Sequence, residues 1–190
     1  MIMAIVFDCF GVLAGKSYWD VYKAGGGDSV KDEEFITSMV DKANRGQVTQ
    51  ELFSSVMADR LGMSMAEYRA LLTREEAANT ELLAYIRKEL KPKYKLAVLS
   101  NAAAGVVARK IPAEEYALFD VVIESATTPY AKPDREIFEL VASKLGVTFD
   151  EMIFIDDLEQ YVVPASQMGI HAIRYTGVDA MKHKLGSLLT

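Results

Sequence analysis

Several polar side chains in this sequence stand at or soon after the ends of short apolar segments, and their types could do chemistry together. They are three carboxylates, a hydroxyl, an amide and an ammonium group: Asp8, Asp156, Asp157, Ser100, Asn101 and Lys132. Apolar runs rich in Ile and Val, without polar alternation, are typical of strands buried on both faces. Because parallel strands end along one edge, where such sheets bind ligands, we expect these side chains to meet in one crevice.

Three carboxylates that share one lysine repel one another. Two unit charges about 4 Å apart repel by about 4 kcal/mol at an effective dielectric constant of 20. Either one carboxyl group is protonated or a divalent cation lies among them. Oxygen ligands favour Mg²⁺, which accepts a few protein carboxylates together with waters and substrate phosphate. Mg²⁺ and Lys132 would make the crevice locally positive and suited to a phosphoryl group.

From Tyr94 onward, short apolar segments alternate with amphipathic ones, and this order predicts a parallel sheet with right-handed crossovers. The strands are expected at residues 95–100, 121–124, 152–155 and 171–175, in addition to the first apolar run at residues 1–7. Asp134–Leu145 is expected to be a helix that Gly146 ends. The sequence therefore predicts an α/β fold, a Rossmann-like parallel sheet with helices on both faces.

The segment between the first two predicted strands has a different character, because its apolar residues recur at helical spacing. Thr49 is placed to begin one of its helices and Gly62 to end it. We therefore expect a small α-helical domain of residues 15–91, inserted into an α/β core of residues 1–14 and 92–190. Its Met and aromatic stripes are expected to pack as a core.

The composition argues against several classes of function. The net charge is −6 over 190 residues, without a dense run of Lys or Arg, so we expect no nucleic-acid partner. No apolar stretch approaches the ~18 residues that a membrane span needs, so we expect no membrane segment. Cys9 is the only cysteine, which excludes an internal disulfide and favours a reducing compartment, with the cytoplasm as the expected location. The oligomeric state stays open between monomer and homodimer.

Four short segments, in their order and spacing, resemble the motifs of the haloacid dehalogenase superfamily. They are Asp8-Cys9-Phe10-Gly11-Val12-Leu13, Leu99-Ser100-Asn101, Lys132-Pro133 and Phe154-Ile155-Asp156-Asp157. The resemblance covers essentially the whole chain, and the helical insertion resembles the small α-helical cap of that family. The pattern is most similar to bacterial members that act on sugar phosphates, which share the paired Asp followed by a Glu.

The resemblance implies Mg²⁺-dependent hydrolysis of a small phosphorylated molecule. It implies that Asp8 is the catalytic nucleophile, which forms an aspartyl-phosphate. The implied metal ligands are the carboxylates of Asp8 and Asp157 and the carbonyl of Phe10, with Asp156 beside them. Phosphoryl transfer depends mainly on positioning and charge neutralisation, which such a set of residues supplies.

The second and third motifs imply groups that hold the transferred phosphoryl group. Ser100 and Lys132 are implied as catalytic side chains that bind its oxygens. Asn101 either contacts the substrate or supports its own loop. Ser100, Asn101 and Lys132 are thus the candidate substrate-binding residues.

Phe10 departs from the family pattern, in which phosphatases usually carry a second Asp two residues after the nucleophile. That Asp protonates the leaving group and then activates water, and such general acid–base catalysis contributes about 10²–10⁴-fold. Because Phe10 can do neither, either the substrate has a good leaving group, such as a sugar 1-phosphate or an acyl phosphate, or turnover is slow. An aromatic residue here also resembles the family's metal-free 2-haloacid dehalogenases, an alternative that the paired Asp156-Asp157 argues against.

Tyr161 is a second departure, because the family carries an Asp or Asn there that supports the metal site. Pro164 follows soon after, and a proline inside a helix costs about 3 kcal/mol. We therefore expect the helix to begin late, near Val163, with Pro164 in its first turn. Weaker support of the ligands lowers metal affinity by about 10–100-fold. A third hypothesis is therefore a catalytically weak phosphate-binding or interaction protein.

Overall fold

A parallel sheet lies at the centre of the protein. The computed structural model describes residues 1–16, 18–75 and 77–189. The five strands within these ranges are β1 (Ala4–Phe7), β2 (Lys95–Ser100), β3 (Val121–Glu124), β4 (Met152–Asp156) and β5 (His171–Arg174). Their spatial order is β3-β2-β1-β4-β5, and all neighbours are parallel. The first strand in the sequence is therefore the central one, with β2 and β4 on its two sides.

Helices connect these strands. Those between β1 and β2 are α1 (Tyr18–Ala24), α2 (Glu33–Asn44), α3 (Gln50–Leu61), α4 (Met65–Glu75) and α5 (Thr80–Tyr85), and α5 continues as a π-helical turn, Ile86–Leu90. Those after β2 are α6 (Val106–Lys110), α7 (Ala113–Tyr116), α8 (Arg135–Leu145), α9 (Glu159–Gln167) and α10 (Val178–Leu188), with 3₁₀ turns at Ser125–Thr127 and Phe149–Glu151. No helix in the described ranges is long and apolar enough to cross a membrane.

Both faces of the sheet are covered by helices, as the sequence predicts. Ile5 and Phe7 of β1 pack in one apolar cluster with side chains of α6 and α10, whereas Ala4 and Val6 pack in another with side chains of α8 and α9. This alternation follows from the period of two along a strand. All four residues of β1 are fully buried. Burial of each large apolar side chain stabilises the fold by about 1.5–3 kcal/mol.

Helices α1 to α4 have a hydrophobic cluster of their own, which includes Tyr22, Ile36 and Met57. Asp32, directly before α2, joins three of these helices. Its carboxylate accepts a hydrogen bond of 2.5 Å from the Tyr22 hydroxyl of α1 and further hydrogen bonds from the Arg60 guanidinium of α3. The helical insertion therefore has both an apolar core and a buried polar link.

The helix that precedes β2 packs differently from the prediction. Leu82, Leu83, Ile86 and Leu90 belong to the cluster on the sheet and not to the cluster of α1 to α4. The predicted boundary at residue 91 thus divides side chains that pack together. An apolar stripe at helical spacing indicates a buried face without indicating its partner.

The two connections between the sheet and the helical insertion lie side by side. Gly15 N donates to Ala77 O at 2.8 Å, and Asn79 N donates to Leu13 O at 2.8 Å. Ala14 and Ala78 form an antiparallel bridge between these two hydrogen bonds. The chain therefore leaves the sheet and returns to it as a paired ribbon.

Helix α9 begins earlier than predicted. The sequence placed its start near Val163, but the helix begins at Glu159 and Pro164 lies inside it. Leu158 O accepts hydrogen bonds from Tyr161 N and Val162 N, and these bonds form the first turn. Pro164 lacks the N–H that would bond to the carbonyl of Gln160.

Candidate active site

The carboxyl ends of β1 and β4 bring the first predicted site residues together. Asp8 N donates to Ile155 O at 2.8 Å, which fixes Asp8 beside β4. Lys132 Nζ lies between two carboxylates, 2.7 Å from Asp8 Oδ1 and 2.6 Å from Asp156 Oδ2. All three side chains are buried, and Asp156 is completely so. Charges this deep require partners, and each carboxylate has one in the same ammonium group.

Asp157 completes a cluster of three carboxylates. One oxygen each from Asp8, Asp156 and Asp157 lies within 4.8 Å of the other two, and such a group could hold a metal ion. Asp157 Oδ1 is buried and has no hydrogen-bond partner among the described residues. Such buried polar atoms are rare unless a ligand, ion or water bonds to them. The donor set consists of carboxylate oxygens, which fits Mg²⁺.

The absence of a side chain at Gly11 allows the Asp157 carboxylate to lie close to it. A Cβ atom on Gly11 would lie 2.4 Å from Asp157 Oδ2, far inside contact distance. The φ angle of Gly11 is also positive, +81°, a conformation that favours glycine. The residue type at position 11 is therefore set both by the turn and by the neighbouring carboxylate.

The electrostatics of the cluster are those of buried like charges around one cation. Burial raises the pKa of the Asp8 carboxyl, Asp156 and Asp157 add to the rise, and Lys132 opposes it. Burial also raises the pKa of Asp157 to about 6, with the same opposition from Lys132. Burial alone would lower the pKa of Lys132, but Asp156 and Asp8 more than compensate and hold it above its ordinary value. The ammonium group is thus charged, and the carboxylates exceed it in number.

Ser100 and Asn101, at the end of β2, hold different positions in the site. Ser100 Oγ is buried and has no hydrogen-bond partner in the described part of the chain. The Asn101 amide bonds to both backbone groups of Lys132, accepting from its N–H at 2.9 Å and donating to its carbonyl at 3.0 Å. Ser100 thus offers an unused hydroxyl, whereas Asn101 fixes the segment that carries Lys132.

Tyr161 takes part in the same network, which the sequence did not predict. Its hydroxyl accepts a hydrogen bond from Asn101 Nδ2 at 3.3 Å, and the Lys132 ammonium lies 4.9 Å from its ring centre. The ring therefore supports the ammonium group by a cation–π contact. At position 161 the sequence showed only that the expected Asp or Asn is absent. That absence did not indicate what an aromatic ring does in its place.

A cavity of about 290 Å³ opens above this edge of the sheet. It is lined by Asp8, Phe10, Ser100, Asn101 and Lys132 from the predicted site, and by residues of the helical insertion. Asp156 and Asp157 are not among the lining residues. The sequence did not predict the remaining residues of the wall, because their meeting depends on how the insertion packs over the sheet.

Comparisons with known proteins agree with this geometry. Residues 2–165 match the family model described as haloacid dehalogenase-like hydrolase. The chain is similar to acyl-CoA dehydrogenase family member 10 of Mus musculus. The identity is 27% over an alignment 213 residues long, which covers 98% of this chain and 19% of that protein. It is also similar to phosphatase MT3486 of Mycobacterium tuberculosis, with 35% identity over 80 residues, 41% of this chain and 37% of that protein. The chain thus spans about a fifth of the length of the mouse protein.

Solved structures share the fold over nearly the whole chain. A predicted HAD-like family hydrolase from Porphyromonas gingivalis superposes with a TM-score of 0.71 at 23% identity, covering 97% of this chain and 98% of that chain. The HAD family enzyme bt-2542 of Bacteroides thetaiotaomicron, in its magnesium complex, gives a TM-score of 0.68 at 25% identity, covering 94% and 96%. Another structure of that enzyme is a complex with magnesium and inorganic phosphate and gives a TM-score of 0.67 at 23% identity, covering 94% and 97%.

Proposed function

Because this chain belongs to the haloacid dehalogenase-like hydrolases, we propose that it hydrolyses a small phosphate monoester with Mg²⁺, through an aspartyl-phosphate on Asp8. The observation that carries the proposal is the cluster of Asp8, Asp156 and Asp157 beside Lys132, of which Asp8 and Lys132 line a cavity. A phosphoryl group is an anion that needs cationic and hydrogen-bonding partners on several sides. Lys132 and the unused Ser100 hydroxyl are such partners.

The proposed reaction has two displacements at phosphorus. A carboxylate oxygen of Asp8 attacks phosphorus, an Asp8–phosphorus bond forms, and the bond to the ester oxygen breaks. The leaving oxygen takes a proton from water, because Phe10 has none to give. Water then attacks phosphorus and the Asp8–phosphorus bond breaks, which releases inorganic phosphate and restores the Asp8 carboxylate; the proton that this water loses neutralises the hydroxide left by the first step. Lys132 and Ser100 hold the equatorial phosphoryl oxygens in both steps.

Mg²⁺ would be held by the carboxylates of Asp8 and Asp157 and the carbonyl of Phe10, with Asp156 beside them. The unpartnered Asp157 Oδ1 and the excess of carboxylates over ammonium groups support this assignment. The bt-2542 enzyme, which has been crystallised with magnesium, supports it further. The ion supplies charge neutralisation for the phosphoryl oxygens.

The helices over the site act in this proposal as a cap. We place the cap at residues 15–79 rather than 15–91, because the helix at residues 80–90 packs on the sheet. Val40, Phe53 and Tyr68 from these helices line the same cavity as Asp8. A cap in this position separates the phosphoryl group from bulk water and contacts the organic part of the substrate.

The proposal is tested by phosphate release from a panel of monoesters with Mg²⁺. Wild-type protein should release phosphate and lose this activity in EDTA, and Asp8→Asn should fall to background. Asp179→Asn is the matched control, because this side chain is 99% exposed on α10 and its loss should leave the rate unchanged. Activity that survives Asp8→Asn would remove Asp8 from its role.

Two alternative functions predict different results in these assays. The apolar Phe10 beside the nucleophile favours a 2-haloacid dehalogenase, for which halide release from a 2-haloacid should persist in EDTA. A catalytically weak phosphate-binding protein should bind Mg²⁺ and phosphate in calorimetry without turnover of any ester. Phosphate release that needs both Mg²⁺ and Asp8 contradicts both alternatives.

A further inference from the structure

The charges of the cavity wall are unusual for so acidic a protein. The chain has a net charge of −6, yet the charged residues that line the cavity are Lys16, Arg109, Lys110, Lys132 and Asp8. Asp8 is thus the sole acidic residue among the described lining residues. Lys132 bonds to Asp8 and Asp156 and is already assigned to the phosphoryl group. Lys16, Arg109 and Lys110 are basic groups beyond those assigned to the phosphoryl group.

Arg109 is directed toward the active-site edge by the geometry of its helix. Helix α6 begins after the loop that follows Ser100, and side chains in a helix point toward its N-terminus. Arg109 Nη1 lies 3.4 Å from the position that a Cβ on Gly105 would take. The guanidinium therefore lies back over the first turn of α6, on the side of the loop that begins at Ser100.

No carboxylate neutralises this guanidinium within the residues that the structure describes. Glu124 lies at the start of the same helix, but its two oxygens accept hydrogen bonds from Gly105 N at 2.5 Å and Val107 N at 2.7 Å. Arg109 forms no ion pair with Glu124 or with any other described carboxylate. Its charge is available to a ligand in the cavity.

The part of the wall that the cap contributes is mainly apolar and aromatic. The apolar and aromatic cap residues that line it are Tyr18, Val21, Val40, Ala43, Phe53, Tyr68 and Leu72. Asn44 and Gln50 are polar residues of the same wall, but its larger part is apolar and favours an organic group with apolar faces over a hydroxyl-rich sugar. An aryl or enol ester also has a better leaving group than an alkyl ester, which suits a site with Phe10 in place of an acid.

We propose that the substrate of this site is a phosphate monoester whose largely apolar body carries a second anionic group, and that Arg109 binds this second anion. The inference rests on the proposed phosphatase function for the position of the phosphoryl group. Lys16 and Lys110 line the same wall. Arg109 is thereby a specificity-determining residue that contacts the substrate away from the reacting atoms.

The test compares three aryl esters of similar size: 4-carboxyphenyl phosphate, its neutral isostere 4-carbamoylphenyl phosphate, and phenyl phosphate. Wild-type protein should prefer the carboxylate over the carboxamide in kcat/KM by about fivefold, the effect of one exposed charge pair. Arg109→Gln should remove this preference, with kcat/KM for each charged or neutral ester taken relative to that of phenyl phosphate in the same variant. Arg69→Gln, an exposed arginine of α4 outside the cavity wall, is the matched control and should keep the preference.

Measurements of binding affinity test this inference independently of the proposed reaction. The affinities of the three compounds are measured by calorimetry with Asp8→Asn, or with wild-type protein in EDTA if that variant does not fold. A carboxylate preference that disappears in Arg109→Gln supports the inference even if no ester is hydrolysed, a result that would overturn the proposed function alone. Equal binding of carboxylate and carboxamide, an unchanged preference in Arg109→Gln, or no binding of the carboxylate compound overturns the inference.

Discussion

Arg45, directly after α2, donates two hydrogen bonds to Asp134, with Nη1 at 3.0 Å from Oδ2 and Nη2 at 3.4 Å from Oδ1. Asp134 also accepts a hydrogen bond from Ala131 N at 3.1 Å, directly before Lys132. Ser125 Oγ donates to the carbonyl of Asn44 at 2.6 Å beside this pair. The helical insertion is thus attached to the segment that carries the active-site lysine.

We expect Arg45 and Asp134 to be coupled by about 0.5–1 kcal/mol, because partly exposed ion pairs rarely contribute more. A double-mutant cycle with Arg45→Gln and Asp134→Asn, followed by urea unfolding, measures this energy. Asparagine keeps an oxygen that can accept from Ala131 N. Asp41→Asn is the control, because it removes the other carboxylate partner of Arg45, which lies on α2. Strictly additive costs of the two substitutions would show that the pair contributes nothing.

Gly11→Ala should weaken Mg²⁺ binding by about tenfold or more, because the new Cβ displaces Asp157 from the carboxylate cluster. Gly26→Ala is the control for backbone strain: Gly26 has a similar φ of +89° and no atom within 4 Å of its would-be Cβ. Both substitutions should cost about 1 kcal/mol of stability through this strain. Calorimetric titration with Mg²⁺ checks the difference, and equal affinities in the two variants would refute the steric explanation.

Asn101→Ala should destabilise the protein by about 1–3 kcal/mol, since it leaves both backbone groups of Lys132 without their partner. Tyr161→Phe removes only the longer hydrogen bond to Asn101 and keeps the ring beside Lys132, so its cost should stay below about 1 kcal/mol. Urea unfolding and kcat are measured for both variants. A larger loss in Tyr161→Phe than in Asn101→Ala would contradict this order.

Phe10→Asp should raise turnover of an alkyl phosphate by about tenfold to a hundredfold, because it introduces a group that can protonate the leaving oxygen. The gain should be smaller for an aryl phosphate, whose leaving group needs less protonation. Phe10→Asn has a similar shape without this proton and should give no gain. If Phe10→Asp folds and its rate is unchanged, Phe10 does not stand at the position of the general acid.

The stability of the cap should depend on pH through Asp32. Hydrogen bonds from Arg60 and Tyr22 hold the pKa of Asp32 below its ordinary value. Its stabilisation is therefore fully present above the unfolded pKa of about 4 and is lost as the pH falls below that value. Asp32→Asn should be less stable than wild type at pH 7, and the difference should shrink toward pH 3. A difference that stays constant between these pH values in thermal unfolding would refute this linkage.

The strand ends of the site could be predicted because their signals are local. An apolar run that ends in a polar residue marks each strand, and the rules for parallel sheets place the ends along one edge. This reasoning predicted that Asp8, Lys132 and Asp156 meet. It could not predict Tyr161 beside Lys132, because the position of its ring depends on where α9 begins, and the proline signal misplaced that start.

The residues of the cavity wall could not be predicted from the sequence for a different reason. Arg109 follows Ser100 by nine residues on a short helix, and nothing in that spacing distinguishes it from a solvated arginine. The role that we propose for it depends on its place in the cavity wall and on the hydrogen bonds that Glu124 accepts from backbone amides. Such information exists only after the chain has folded.

Because the two connections pair at Ala14 and Ala78, the cap helices between them could be replaced as one unit. Two backbones joined by hydrogen bonds are only about 5 Å apart, so a short turn there could close the chain without the helices between. Replacing these helices would alter the walls that meet the organic part of a substrate and leave Asp8, at the end of the central strand, in position. Selection could thus redirect this scaffold to new esters by changing one contiguous stretch of its gene.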